Sequence, residues 1–293
     1  MKILFITPES NQWSSSRLRA AWPARYIEGA EVKRIIEVND YRGYDACIFI
    51  KVFPLDEFEQ LGLGKVSQIW WDVCDPAWWW NSKGCAEIVK HVTGVIASNQ
   101  GLADDFMDWS GKKAFIIRDR IELEHYPLQK RHHYPADPVR FIWFGAGQNR
   151  LSLFAALANL ERLAANEHNI SLTIYDDWTN QEWRMTDHFP ISYLRWSLDQ
   201  ENRVIASHDI ALLPPYPGPW GRVKSNNKDL TAWACGLPVS DGQDYHKLEE
   251  LVASHHVRAN HTQWARQLVE EQYDVKQSAV EWMELLNESS DPA

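Results

Sequence analysis

Lys224-Ser-Asn-Asn-Lys-Asp-Leu-Thr-Ala-Trp-Ala-Cys-Gly-Leu-Pro-Val239 reads as a polar, cationic loop opening a short helix, a stop at Gly236, and a strand. Lys224, Ser225, Asn226, Asn227 and Lys228 set two ammonium groups and three small hydrogen-bonding side chains at the helix start. The first amides of a helix have no intrahelical partner, and the helix dipole favours negative charge beside them. The loop therefore reads as an anion seat or, on the same residues, as a capped helix with solvated lysines.

The same strand–helix alternation runs outward in both directions. Upstream, strands are expected at 2–7, 32–36, 46–52, 68–72, 94–98 and 114–118, with helices at 16–28, 55–61, 82–91 and 100–109. The segment 128–138 is charged, proline-punctuated and aperiodic, which marks an interdomain linker. A second series then begins with a strand at 139–144, the turn Gly145-Ala-Gly147 and a helix at 151–166. Strands follow at 171–175 and 209–213, a helix at 228–235, a strand at 237–239 and a mainly helical end over 261–287. This predicts an α/β chain of two doubly wound, Rossmann-like domains, residues 1–127 and 139–293, with the last helix packing back on the first domain. Ligands of such folds sit in the cleft at the carboxyl ends of the strands.

Composition narrows the classes. With 293 residues, 45% hydrophobic and 24% charged, the chain can bury two cores and carries no disorder signature. A net charge of −10 disfavours a broad nucleic-acid or anionic-membrane surface. Four cysteines, Cys47, Cys74, Cys85 and Cys235, lack metal-ligand spacing and read as reduced thiols of a cytoplasmic protein. The opening apolar run is too short for a signal peptide, and no segment has the apolar length of a membrane span. Sixteen tryptophans are the compositional outlier, and Trp78, Trp79 and Trp80 are consecutive. An indole offers a flat apolar face and one donor, which suits core packing, sugar rings and nucleobases alike.

Three segments carry a resemblance: Val92–Ala103 followed by Phe115–Pro127, Phe141–Gly145, and Asp209–Pro214 together with Lys224–Val239. In order and spacing they resemble a GT-B fold glycosyltransferase of the retaining, family-4-like group. The resemblance implies a nucleoside-diphosphate sugar held by the C-terminal domain and a sugar transferred to an acceptor hydroxyl. The donor diphosphate would lie near Gly145, Gly147 and the loop Lys224–Lys228, with Lys224 or Lys228 neutralising its charge. No cofactor is implied, because fixed cations and amides stabilise the leaving group without a metal. No Asp-x-Asp motif stands against this, since Asp176 and Asp177 are adjacent and read as a strand-end pair.

One departure is plain. The family's ribose glutamate falls at Thr231, and its companion eight positions upstream at Val223. Asp229 is no direct substitute, because two helical steps rotate a side chain by about 200°. Thr231 retains a hydroxyl that can make one hydrogen bond. This departure leaves open a glycosyltransferase-like protein that binds nucleotide or glycan without turnover.

On the acceptor side, Asp72 and Asp75 can position or deprotonate a hydroxyl, and Trp78 can stack on its carrier. Both aspartates read equally as turn or helix caps. Arg17 and Arg19 follow a polar loop and can meet phosphate or an anionic acceptor, or pair on the surface. A hydroxymethylated base in DNA is an alternative acceptor, and its basic cleft would need Arg17, Arg19, Lys130 and Arg131. His132 and His133 are adjacent and point apart, which argues against a joint metal site.

Overall fold

The computed structural model describes residues 1–128, 132, 134–178 and 182–289. Lys130, Arg131 and His133 lie outside the described residues. The chain divides into two compact units: Met1–Glu122 with Arg222–Ser225 and Asp274–Ala293, and Leu123–Gly221 with Asn226–Tyr273.

Unit 1 opens with β1 (Ile3–Thr7), followed by three helical pieces: α1 (Ser14–Ser16), a π turn (Arg17–Ala21) and α2 (Trp22–Ala24). Then come β2 (Ala30–Arg34), β3 (Ala46–Ile50), β4 (Gln68–Val73), α3 (Trp78–His91), β5 (Gly94–Ala97), α4 (Gln100–Ser110) and β6 (Phe115–Ile116). All six strands are parallel, in the order β2-β1-β3-β4-β5-β6.

Alternation across the strands sends successive residues to opposite faces. Leu4, Ile6, Cys47, Phe49 and Trp71 enter one core, while Ile3, Phe5, Ala46, Ile48 and Trp70 enter the other. Both faces are buried, which is why these strands read as continuous apolar runs rather than alternating ones.

Unit 2 contains β7 (Val139–Gly145), α5 (Phe154–Ala165), β8 (Ile170–Asp176), β9 (Ile191–Arg195), α6 (Leu198–Ala206) and β10 (Ile210–Leu212). After α7 (Pro219–Val223), whose last residues already belong to unit 1, come α8 (Asn227–Ala234), β11 (Val239–Ser240), α9 (Tyr245–Ala253) and α10 (His255–Gln272). Its five strands are also parallel, in the order β11-β10-β7-β8-β9. The last helix, α11 (Val275–Glu288), returns to unit 1. It covers the second face of the first sheet with Ala279, Trp282, Leu285 and Leu286, and Trp282 meets Phe5 edge-on at 5.6 Å.

Several elements depart from expectation. The helix expected over 16–28 is broken into short pieces by the π turn, and that over 55–61 reduces to a single 3-10 turn, Leu55–Glu57. The helix expected at 151–166 starts as a 3-10 run, Gly147–Leu153. The opening strand of the second β–α pair sits at Ala30–Arg34, two residues early. β9 was not foreseen: it is an edge strand with a half-exposed face, so its apolar pattern is faint.

Candidate functional site

In each sheet the strand order reverses once, at β1/β3 in unit 1 and at β7/β10 in unit 2. Parallel α/β sheets bind ligands outside the carboxyl ends of their strands at such points.

At the unit 1 switch point stands Lys51, the residue after β3. Its φ of 65° is left-handed, a conformation that costs a non-glycine residue roughly 1–3 kcal/mol. Its amide donates to the Asp72 carbonyl at 2.9 Å, and its ammonium reaches Asp75 Oδ2 at 2.5 Å. Lys224 Nζ meets the other oxygen, Asp75 Oδ1, also at 2.5 Å. Burial pushes the Asp75 carboxyl up, but Lys51 and Lys224 outweigh it and hold it below the usual carboxylate range. Asp75 is thus a fixed anion bracketing two cations, and a poor proton acceptor at neutral pH. Lys51 was not singled out in the sequence, although a lone charge ending five buried apolar residues is a legible signal.

Asp72 and Arg19 lie beneath this cluster, both essentially without solvent exposure. Arg19 Nε donates to both Asp72 oxygens at 3.2 and 2.9 Å, and Nη1 reaches the Ile117 carbonyl at 2.5 Å and Asp119 at 3.1 Å. Burial raises the Asp72 carboxyl to about 6 against the pull of Arg19. Arg19 is therefore neither a surface ion pair nor exposed to an acceptor; it ties β4 to the segment after β6. Arg17 is also buried, donating through Nη1 to the carbonyls of Asn11 and Gln12 at 3.2 and 2.7 Å. Trp78 is 3% exposed. Its indole donates to Asp105 at 2.7 Å and stacks on Trp109 at 5.5 Å, so it belongs to the core and offers an acceptor no face. Trp79 shares the same Asp105 oxygen, and it and Trp80 are exposed.

At the unit 2 switch point, Gly145 ends β7 with a φ of 150°. A Cβ there would stand in ordinary contact, 3.4 Å from Lys228 Cδ and 3.5 Å from Lys228 Nζ, so the ammonium lies beside the turn. The same ammonium lies 5.4 Å from the Trp143 ring centre. Lys228 sits in the first turn of α8, whose cap residue Asn226 makes no side-chain cap bond. The helix begins at Asn227, three residues after Lys224, and Lys224 and Ser225 belong to unit 1 while Asn226, Asn227 and Lys228 belong to unit 2.

Gly147 is occupied differently from expectation. Its amide donates to Asp177 at 2.7 Å, and the Trp178 indole fills the space a side chain would take. Asp176 pairs with Arg150 through two bonds, one of them 2.8 Å from Nη2. Trp178, Trp183 and Tyr193 surround that guanidinium at 5.1, 5.7 and 5.1 Å. The Asp176–Asp177 pair thus builds the turn, and sequence reading missed Arg150 as its partner.

Thr231 is buried and donates its hydroxyl to the Asn227 carbonyl at 2.9 Å. That spends the donor on the helix itself. Val223, where the companion glutamate would stand, is 3% exposed in the unit 1 core. Burial lifts the half-buried Asp229 carboxyl to about 6 against the pull of Lys228. Among the described residues no three His, Cys, Asp or Glu side chains converge as a metal site, and no helix is long and apolar enough to cross a membrane.

No family model and no curated sequence matches the chain. Solved structures do. HepE from Anabaena, bound to UDP and glucose, superposes with a TM-score of 0.71 at 13% identity, over 98% of this chain and 99% of that one. An α-glucosyltransferase bound to UDP and a 13-mer DNA gives 0.68 at 10% identity, over 98% and 99%. Sucrose-phosphate synthase from Thermosynechococcus elongatus gives 0.61 at 12% identity, over 84% and 74%. The fold is that of the GT-B glycosyltransferases.

Proposed function

We propose that the protein is a glycosyltransferase that moves a sugar from a nucleoside-diphosphate sugar to an acceptor hydroxyl, with retention of configuration and without a metal. The observation that carries this reading is Lys228 at the Gly145 turn, beside a helix start left without a side-chain cap. A sugar leaving a nucleoside diphosphate exposes about two negative charges, and a fixed ammonium beside the amides of a helix start is the environment that lowers their energy. Support also comes from the UDP found in HepE and in the α-glucosyltransferase, two proteins of the same fold.

In this reading the donor diphosphate rests against Gly145, Lys228 and the first amides of α8. Lys224, which the family resemblance also assigns to the donor, is bracketed with Lys51 on Asp75, and Asp75 keeps both ammoniums in place. Asp75 stays ionised and so orients charge rather than collecting a proton. Retention then proceeds by front-side attack assisted by the leaving group, which dispenses with a strong base.

Incubating the purified protein with UDP- and GDP-sugars, with and without acceptors, tests the reading through release of the nucleoside diphosphate. EDTA treatment and the anomeric configuration of the product test metal independence and retention. If no nucleotide sugar is consumed, the enzymatic reading fails. What then stands is a nucleotide or glycan binder without turnover, a reading that the apolar Val223 and the self-bonded Thr231 favour.

A further inference from the structure

The segment Arg222–Ser225 belongs to unit 1, although the residues on both sides of it belong to unit 2. Three separate features of unit 1 hold it. The Asn99 side chain donates from Nδ2 to the Val223 carbonyl at 3.0 Å. Gly101 has no side chain, and a methyl there would overlap the Arg222 carbonyl oxygen. The Val223 side chain is 3% exposed and belongs to the unit 1 core that also holds Leu102 and Phe106. The next residue is Lys224, whose ammonium reaches Asp75.

We infer that Asn99 and Gly101 are positioning residues for Lys224. Together they fix two consecutive carbonyls, those of Arg222 and Val223, and the buried valine prevents the strap from rotating. With its main chain fixed on the N-terminal side, Lys224 has few ways to place its ammonium, and Asp75 selects one of them. The entropy of ordering a lysine side chain is thereby met before any ligand arrives, which is the energetic content of preorganisation. Asn99 does this while also closing α4, because its Oδ1 accepts from the Leu102 amide at 2.9 Å. One side chain thus serves the helix with its oxygen and the strap with its nitrogen. The inference rests on the glycosyltransferase reading only for the consequence of a displaced Lys224, not for the seating of the strap.

The two jobs of Asn99 can be separated. Asn99→Asp keeps an acceptor for Leu102 and removes the donor to Val223, setting a carboxylate against a carbonyl. Gly101→Ala replaces a poor helix former in α4 by the best one while expelling the Arg222 carbonyl. Hydrogen exchange of peptides covering 220–226 reads the seat directly, whatever the activity. Both variants should lose protection there by at least tenfold while the α4 amides keep theirs. Both should also lower kcat/KM for sugar transfer by about as much as Lys224→Ala, and combining either with Lys224→Ala should cost little more. Wild-type protection of 220–226 in both variants overturns the inference. Lost protection with unchanged kcat/KM in an active enzyme overturns the link to Lys224. If the wild-type protein consumes no nucleotide sugar, the functional reading fails, and the exchange experiment still decides whether the strap is seated as described.

Discussion

Replacing Lys228 by alanine is the most direct test of where the diphosphate sits. A charge-assisted hydrogen bond to a phosphate oxygen contributes about 1.5–3 kcal/mol. Part of that is offset, because in the free protein the ammonium lies 5.4 Å from the Trp143 ring centre. Leaving that ring costs about 0.5–1 kcal/mol. The net loss on removing the amine is therefore about 1–2 kcal/mol, or about 5- to 30-fold in the Kd for UDP. Titration calorimetry with UDP and with uridine isolates the phosphate contribution, since uridine has no group for Lys228 to meet. UDP binding should weaken by that factor, uridine binding should be unchanged, and the salt dependence of UDP affinity should flatten in the variant. Equal losses for UDP and uridine would refute the reasoning, since they would mean that Lys228 holds the helix rather than the phosphate. A change in UDP affinity below about twofold would refute it too, because the charge-assisted contact would then be absent.

Lys224→Ala should weaken nucleotide binding by about tenfold through the loss of one charged contact. Asp75→Ala should lower sugar transfer and weaken donor binding too, because Asp75 holds the Lys224 ammonium in place, and wild-type donor affinity in both variants would show that the phosphate site is misplaced. Asp229 gives a pH signature: its carboxyl is raised from 3.8 to about 6, so its contribution to stability is full below 3.8 and is lost as pH rises through about 6. That gap corresponds to about 3 kcal/mol at most, and partial solvent access reduces it to about 1–2 kcal/mol. Thermal unfolding of Asp229→Asn should therefore exceed wild type by several degrees above about pH 7, with the difference vanishing near pH 4. A difference independent of pH would assign the effect to something other than the charge. Trp282→Ala should destabilise unit 1 by about 3–5 kcal/mol, because a fully buried indole leaves a cavity. Trp80→Ala, at a site 61% exposed, should change stability by no more than about 0.5 kcal/mol in urea denaturation. Comparable losses at the two positions would contradict the burial.

The parallel sheets were legible because runs such as Ala46–Ile50 and Phe141–Phe144 are apolar without alternation, as strands covered on both faces must be. Lys228 and Gly145 were legible as a pair of features, a cation in a helix start and a glycine at a strand end. What escaped was anything set by distance along the chain. Arg19 and Asp72, 53 residues apart, both looked available in the sequence, and only folding joins them in the interior. Trp78 looked like a stacking platform because the carboxylate that claims its N–H, Asp105, lies on another helix. Lys51 stands out in the sequence as the charge that ends Ala46–Ile50, but only folding gives it Asp75, 24 residues on, as a partner. Gly147 matched a phosphate turn by spacing, but Asp177 and Trp178, thirty residues on, fill the place.

That α11 completes unit 1 bears on the order in which the protein is made. The first sheet emerges from the ribosome early, yet the face formed by Ile3, Phe5, Ile48 and Trp70 receives Trp282 and Leu286 only when the last helix is synthesised. All of unit 2, ending at Tyr273, is translated in the interval. During that time the nascent chain carries an apolar sheet face only partly covered, by Ala20 and Ile27, the kind of surface on which unfinished chains aggregate or recruit chaperones. A chain stopped after Tyr273 would keep every residue of unit 2 and still lack part of the cover for its first sheet, so its solubility, more than its activity, should record what the final helix contributes.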